Sequence, residues 1–120
     1  MSKIKLTQTM LDKSICDCNQ STRNLLRDEG ILDYDDLRAG ERHKFKATLQ
    51  VRKNNIPLTS CITEECTVSC YRANGRGDAR IWITKVKQYA EAGDVLEIKA
   101  VYDDCIQQGW VYVRLRSAEA

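Results

Sequence analysis

A mainly β domain, an open or closed pseudobarrel with two short helices, is the fold the sequence predicts, and three observations predict it. Apolar and polar side chains alternate over Arg42–Arg52, Val95–Tyr102 and Trp110–Arg116, the period-two pattern of strands with one buried face. Helix signals occupy only two short stretches. An Ala-Gly-acid segment recurs at Ala39–Ala47 and Ala92–Ala100, and both times it opens a strand.

The elements follow in order. The first strand is expected over Ile4–Thr9, with Ile4, Leu6 and Gln8 on one side, and a polar stretch from Asp12 to Gln20 follows. Ser21 is a suitable N-cap for a helix through Leu25 and Leu26, and Gly30 stands where a C′ residue is wanted. Asp33–Leu37 reads as a turn or one helical turn. From Arg42 to Arg52, Phe45, Ala47, Leu49 and Val51 point inward, while Lys44, Lys46, Thr48 and Gln50 point to water. Asn54-Asn55 reverses the chain.

Pro57–Arg72 is strand material with an interruption, a bulge or a second turn, expected near Thr63-Glu64-Glu65. Cys66, Val68 and Cys70 share one parity within it. The loop Ala73–Asp78 holds two glycines, and Ile81–Ile83 returns to strand. Thr84 is expected to cap a short helix through Val86 and Tyr89 that stops at Gly93. Leu96, Ile98 and Ala100 then face one way and Val95, Glu97, Lys99 and Val101 the other. A hairpin at Asp103–Gly109 leads to the closing strand, with Val111, Val113 and Leu115 inward and Tyr112, Arg114 and Arg116 outward.

The two Ala-Gly-acid segments align without a gap: alanine, glycine, lysine and final alanine match, acid follows glycine in both, and Phe45 matches Ile98. One logic serves both copies. Glycine adopts the positive φ that other residues resist, the acid ties the turn, and the strand leaves with its apolar face inward. Two such halves, 1–55 and 66–116, can interlock with pseudo-twofold symmetry inside a single domain spanning 1–120.

Composition bounds the function. With 120 residues, 42% of them hydrophobic and 30% charged, the chain can bury one core and is neither disordered nor fibrous. No run approaches the roughly 18 apolar residues of a membrane-spanning helix. The start, Met1–Gln8, lacks the apolar stretch of an export signal, so a cytoplasmic protein that does not engage membranes is expected. His43 is the only histidine, which argues against a histidine-ligated catalytic metal. The six cysteines lack paired C-x2-C knuckles and read as small apolar residues inside the sheet. A zinc site on Cys16, Cys18 and two later cysteines, or disulfides in an exported protein, are the competing readings. No cofactor is expected.

Residues Ile81-Trp82-Ile83-Thr84-Lys85-Val86 through Glu91-Ala92-Gly93-Asp94-Val95-Leu96 resemble an element of the DNA-binding pseudobarrel domains. These are the plant B3 domains and the N-terminal effector-binding domain of the EcoRII restriction endonuclease. The hairpin ending in Trp110-Val111-Tyr112-Val113-Arg114-Leu115 suits the same layout. AbrB-like swapped-hairpin regulators carry a similar element. The resemblance spans residues 80–116 and implies a DNA-binding pseudobarrel, restriction-related or regulatory, without matching its DNA-contacting arms residue by residue.

The net charge of +2 is too small to argue for nucleic acid, but the distribution is uneven. Residues 28–41 hold six acids against Arg38, whereas 42–53 hold Arg42, Lys44, Lys46, Arg52 and Lys53 and no acid. Lys44 and Lys46 on a wet strand face, with Lys85 and Lys87, can line a phosphate backbone. Asn74, Arg76 and Arg80 are candidates for an arm that reads bases, since Arg pairs with guanine and Asn with adenine. The same cations would also serve plain solubility. Trp82 and Trp110 sit in apolar runs and read as core before they read as stacking platforms.

Three functional readings follow. The first is a non-catalytic module that binds double-stranded DNA. The second is a small viral or mobile-element accessory or inhibitor protein that engages a host protein through the acidic segment Asp28–Glu41. An enzyme is the weakest reading: no P-loop, dinucleotide or Ser-His-Asp pattern appears, and a thiol mechanism would need Cys61 or Cys105 beside His43.

Overall fold

Local capping decides where the elements of the N-terminal third begin and end. The first strand, β1 (Ser2–Lys5), is shorter than expected because the Thr7 hydroxyl accepts the Met10 N–H at 3.2 Å and starts a helix, α1 (Gln8–Lys13). That helix overlaps the end of the expected strand and the start of the polar stretch Asp12–Gln20, which also holds the two-residue strand β2 (Cys16–Asp17). Helix α2 (Gln20–Asp28) is capped by Asn19 rather than Ser21, its side chain accepting the Thr22 N–H at 2.9 Å. Gly30 (φ +69°) ends it as a left-handed C′ residue. A single 3-10 turn, Tyr34–Asp36, follows, with Asp33 as its cap.

The remaining elements are β3 (Arg42–Arg52), β4 (Ile62–Arg72), β5 (Ala79–Ile83), α3 (Val86–Tyr89), β6 (Val95–Asp103) and β7 (Gln108–Arg116). This is a computed structural model that describes residues 1–54, 62–73, 77–105 and 107–118, with the backbone alone at 103 and 108. All seven strands join one sheet in the order β1-β6-β7-β3-β4-β5-β2, curled into an open half-barrel. Every neighbouring pair is antiparallel except β3 with β7. The three α-helices among the described residues are all short.

Two expectations need correcting. No bulge interrupts Thr63–Glu65, which pair in unbroken register with Gln50, Leu49 and Thr48. Glu64 falls on the inward parity, where the Tyr89 hydroxyl donates to its Oε1 at 3.2 Å while its Oε2 is buried without a hydrogen bond. Thr84 does not cap α3 either: its hydroxyl accepts the Thr67 N–H at 2.8 Å, and Lys85 enters the helix at φ +71°.

The inner face of the curl is the core. Ala47, Leu49, Val51, Val68, Ile81, Ile83, Leu96, Ile98, Val113 and Leu115 are buried there, closed over by Leu11, Leu26, Tyr34 and Val86. Cys16, Cys18, Cys66 and Cys70 are buried among them.

The recurring turns are equivalent bond for bond. Glu41 and Asp94 each accept, through the side chain, the N–H three residues earlier, from Arg38 at 3.0 Å and Glu91 at 2.9 Å. Gly40 (φ +80°) donates to the Arg72 carbonyl and Gly93 (φ +95°) to that of Leu6. Arg72 and Leu6 donate back to Glu41 and Asp94. A half-turn normal to the sheet through β7 therefore exchanges β3 with β6 and β4 with β1, reversing their order and direction together. Val111, opposite Ala100 and next to the Thr48–Tyr112 pair, lies near that axis. The same half-turn carries β1 onto β4 and β3 onto β6, in the order in which they follow one another along the chain.

Candidate nucleic-acid interface

Because the helices fill the concave side, the outward parity of the sheet is left to solvent, and the strand registers place its side chains in rows. Arg42, Tyr71, Arg80 and Asp17 form one row across β3, β4, β5 and β2. Lys44, Ser69 and Trp82 form the next, and Lys46 stands opposite Thr67. Toward the other edge come Thr48, Tyr112 and Lys99, then Gln50, Arg114, Glu97 and Lys3. Arg52, Arg116, Val95 and Lys5 complete the face. Cations dominate it; the acids among its described side chains are Asp17, Glu65 and Glu97.

Those acids differ in what they neutralise. Glu97 is buried between Lys3 at 3.9 Å and Arg116 at 3.5 Å. Glu65 pairs with Lys46 at 3.2 Å, both well exposed, a contact worth at most about 1 kcal/mol and easily exchanged for another anion. Asp17 is bonded to Arg80, which also reaches Asp78 at 3.4 Å. Lys44 and Lys99 have no ion-pair partner among the described residues, and both are exposed.

Aromatic side chains lie between the cations. The Arg42 guanidinium sits 4.5 Å from the Tyr71 ring centroid, a cation–π contact that holds it outward. The Trp110 Nε1–H donates to the Thr48 hydroxyl at 3.0 Å. Trp82 and Trp110 are each half-buried on the outward parity, so neither is a fully enclosed core residue.

The structure brings Lys44 and Lys46 together on this face as adjacent outward positions of β3. Lys85 stands just beyond Thr84, whose hydroxyl is bonded to the residue opposite Lys46. Lys87 is exposed on α3. Arg80 lies within β5 rather than on a loop arm, and its two carboxylate partners hold it against the sheet. Asn74 and Arg76 lie outside the described residues, as does Cys61. Arg52, Lys99, Arg114 and Arg116 complete the cationic face. Their outward alternation is visible in the sequence, but their adjacency to β3 depends on the parallel β3–β7 pairing, which no local signal announces.

The acidic segment lies elsewhere and is partly used in structure. Asp33 caps the 3-10 turn, Glu41 ties the glycine turn, and Asp35 pairs with Arg72 at 3.4 Å. Asp28, Glu29 and Asp36 remain exposed.

The buried cysteines are poor nucleophiles. Burial pushes Cys16, Cys18 and Cys66 up to about 11 and Cys70 up to about 12, so scarcely any thiolate exists at neutral pH. The Tyr34 hydroxyl donates to the Arg80 carbonyl at 2.7 Å and is hydrogen-bonded to the Cys18 and Cys70 thiols. Among the described residues no three His, Cys, Asp or Glu side chains converge as metal ligands, and no helix is long and apolar enough to cross a membrane. Compared with known protein families, curated proteins and solved structures, the chain matches none.

Proposed function

We propose that this chain is a non-catalytic module that binds double-stranded DNA through the outer face of its sheet. One observation carries the reading: a chain of net charge +2 concentrates its lysines and arginines on the side of the sheet that the helices leave bare. Such a face can neutralise phosphates, and each contact releases counterions. Lys44, Lys46 and Lys99 are placed to meet phosphates, with Arg114 and Arg116 beside them. Lys85 follows the end of β5, and Lys87 is exposed on α3. Any reading of sequence by Asn74 and Arg76 belongs to this proposal as well, as does a role in restriction or regulation.

The competing reading, an accessory protein that grips a basic host protein through Asp28–Glu41, has less support. Half of the acids in that segment hold its own turns and ion pair together. Fluorescence anisotropy with a random-sequence duplex separates the two. The expected result is binding that weakens by about 10³-fold between roughly 50 and 200 mM salt. An unchanged anisotropy at the lower salt removes the DNA reading.

A further inference from the structure

Resting on that reading, we infer that the fork between β3 and β7 holds a single unpaired nucleobase of the bound nucleic acid. The fork is a consequence of register. These parallel strands pair from Thr48–Tyr112 to Arg52–Arg116. Before that point they no longer pair with each other and each keeps only its antiparallel neighbour, Arg42–Ala47 staying with β4 and Gln108–Val111 with β6. Between them lies a cleft of about 410 Å³, within the range of sites that enclose small ligands.

Its walls have the chemistry of a base site. His43 and Phe45, their ring centroids 6.0 Å apart, line one wall, and Trp110 and Val111 the other. Ile31 closes the inner end and Lys46 lines the outer, where the sheet's cationic face begins. The Trp110 indole is anchored on Thr48 before any ligand arrives. Where the strands diverge, backbone N–H and C=O groups that point into the fork have no neighbouring strand. A base offers a flat π surface to the rings and a donor–acceptor edge to such groups, and its phosphate would fall beside Lys46. An aliphatic chain would match the rings but neither the backbone groups nor the cation.

Gly109 lets β7 pass close to the segment after α2, whose Ile31 lines the cleft. A Cβ there would stand 3.2 Å from the Glu29 carbonyl oxygen and 3.3 Å from Ile31 Cγ1. A base that is already unpaired enters at lower cost than a paired one, so the cleft selects a bulged or mismatched site.

The test compares a fully paired duplex with the same duplex carrying one extra adenine. The bulged duplex is expected to bind about tenfold more tightly, within the range of one base–aromatic stack. Phe45→Leu, which keeps the wall apolar, and Gly109→Ala, which crowds the floor, each remove that preference and leave affinity for the paired duplex unchanged. Free dAMP should quench Trp110 emission in a Trp82→Phe background. Equal affinity for the two duplexes, or no quenching by dAMP, overturns the inference while leaving the DNA reading intact; failure of both duplexes to bind overturns the reading itself.

Discussion

The Lys53 ammonium lies 2.9 Å from Asp94 Oδ2, and both side chains are buried, at 4% and 6% exposure. This pair joins the end of β3 to the turn that opens β6. Lys53 also donates to the Tyr89 carbonyl at 2.9 Å, and Asp94 holds the Glu91 N–H. Removing one partner strands a buried charge. Lys53→Met is expected to destabilise the fold by about 3–5 kcal/mol, and the double change Lys53→Met with Asp94→Leu to recover much of that loss. Urea unfolding of the three proteins measures it; a single variant as stable as the parent would show the pair to be dispensable.

The matched glycine turns make a second prediction. Gly40 and Gly93 both hold positive φ, where an L side chain costs about 1–2 kcal/mol. At Gly93 the added Cβ would meet only Ala118, at 3.6 Å, so backbone strain is isolated from crowding. Gly93→Ala should therefore lose that amount in chemical denaturation and Gly40→Ala a similar one, whereas a neutral pair of variants would separate the sequence repeat from any conformational need.

Much of this fold was legible from alternation. The register of apolar residues in β3, β6 and β7 gave their inward sets correctly, because a strand with one wet face is specified by every second side chain. The acid-after-glycine turn was also readable, since the acid ties a backbone N–H only three residues earlier. The helix at Gln8–Lys13 was not, because Ile4, Leu6 and Gln8 mimic a strand and only the Thr7 cap breaks it. Likewise Lys44 and Lys46 could be paired from sequence, but Lys99 and Arg114 join them only through strand order. Arg80 looked available as an arm because Asp17, one of its two carboxylate partners, is far away in the chain.

Alkaline pH should unfold the protein through its thiols. Burial raises four of them from 9.0 to about 11 or 12, so the unfolded chain loses those protons first. Their contribution is complete below pH 9 and is lost as pH rises through 11, by about 1.4 kcal/mol per thiol for each unit in that window. Cys70→Ala should flatten the slope of stability against pH between 9 and 11. An unaltered slope would remove thiol burial as its cause. At neutral pH, mass mapping after brief iodoacetamide treatment should find exposed Cys105 alkylated ahead of the four.

Charge reversal on β3 addresses the proposed interface directly. Lys44→Glu has no ion pair to disturb among the described residues, while Lys46→Glu also faces Glu65. Each should reduce the slope of log affinity against log salt by about 0.9 for every phosphate that is no longer neutralised. Melting temperature should barely move, because both side chains are solvated. Reversal of Asp36 to Lys, on the acidic segment, should leave the slope as it was.

The central claim concerns which side of the molecule meets DNA, and amide chemical-shift mapping during titration with a short paired duplex reads that side residue by residue. Perturbations concentrated at Lys44, Lys46, Lys99, Tyr112 and Arg114, with α1 and α2 silent, are the predicted result. Perturbations gathered on α2 and the Tyr34–Asp36 turn, with the outward rows of the sheet unmoved, would contradict it.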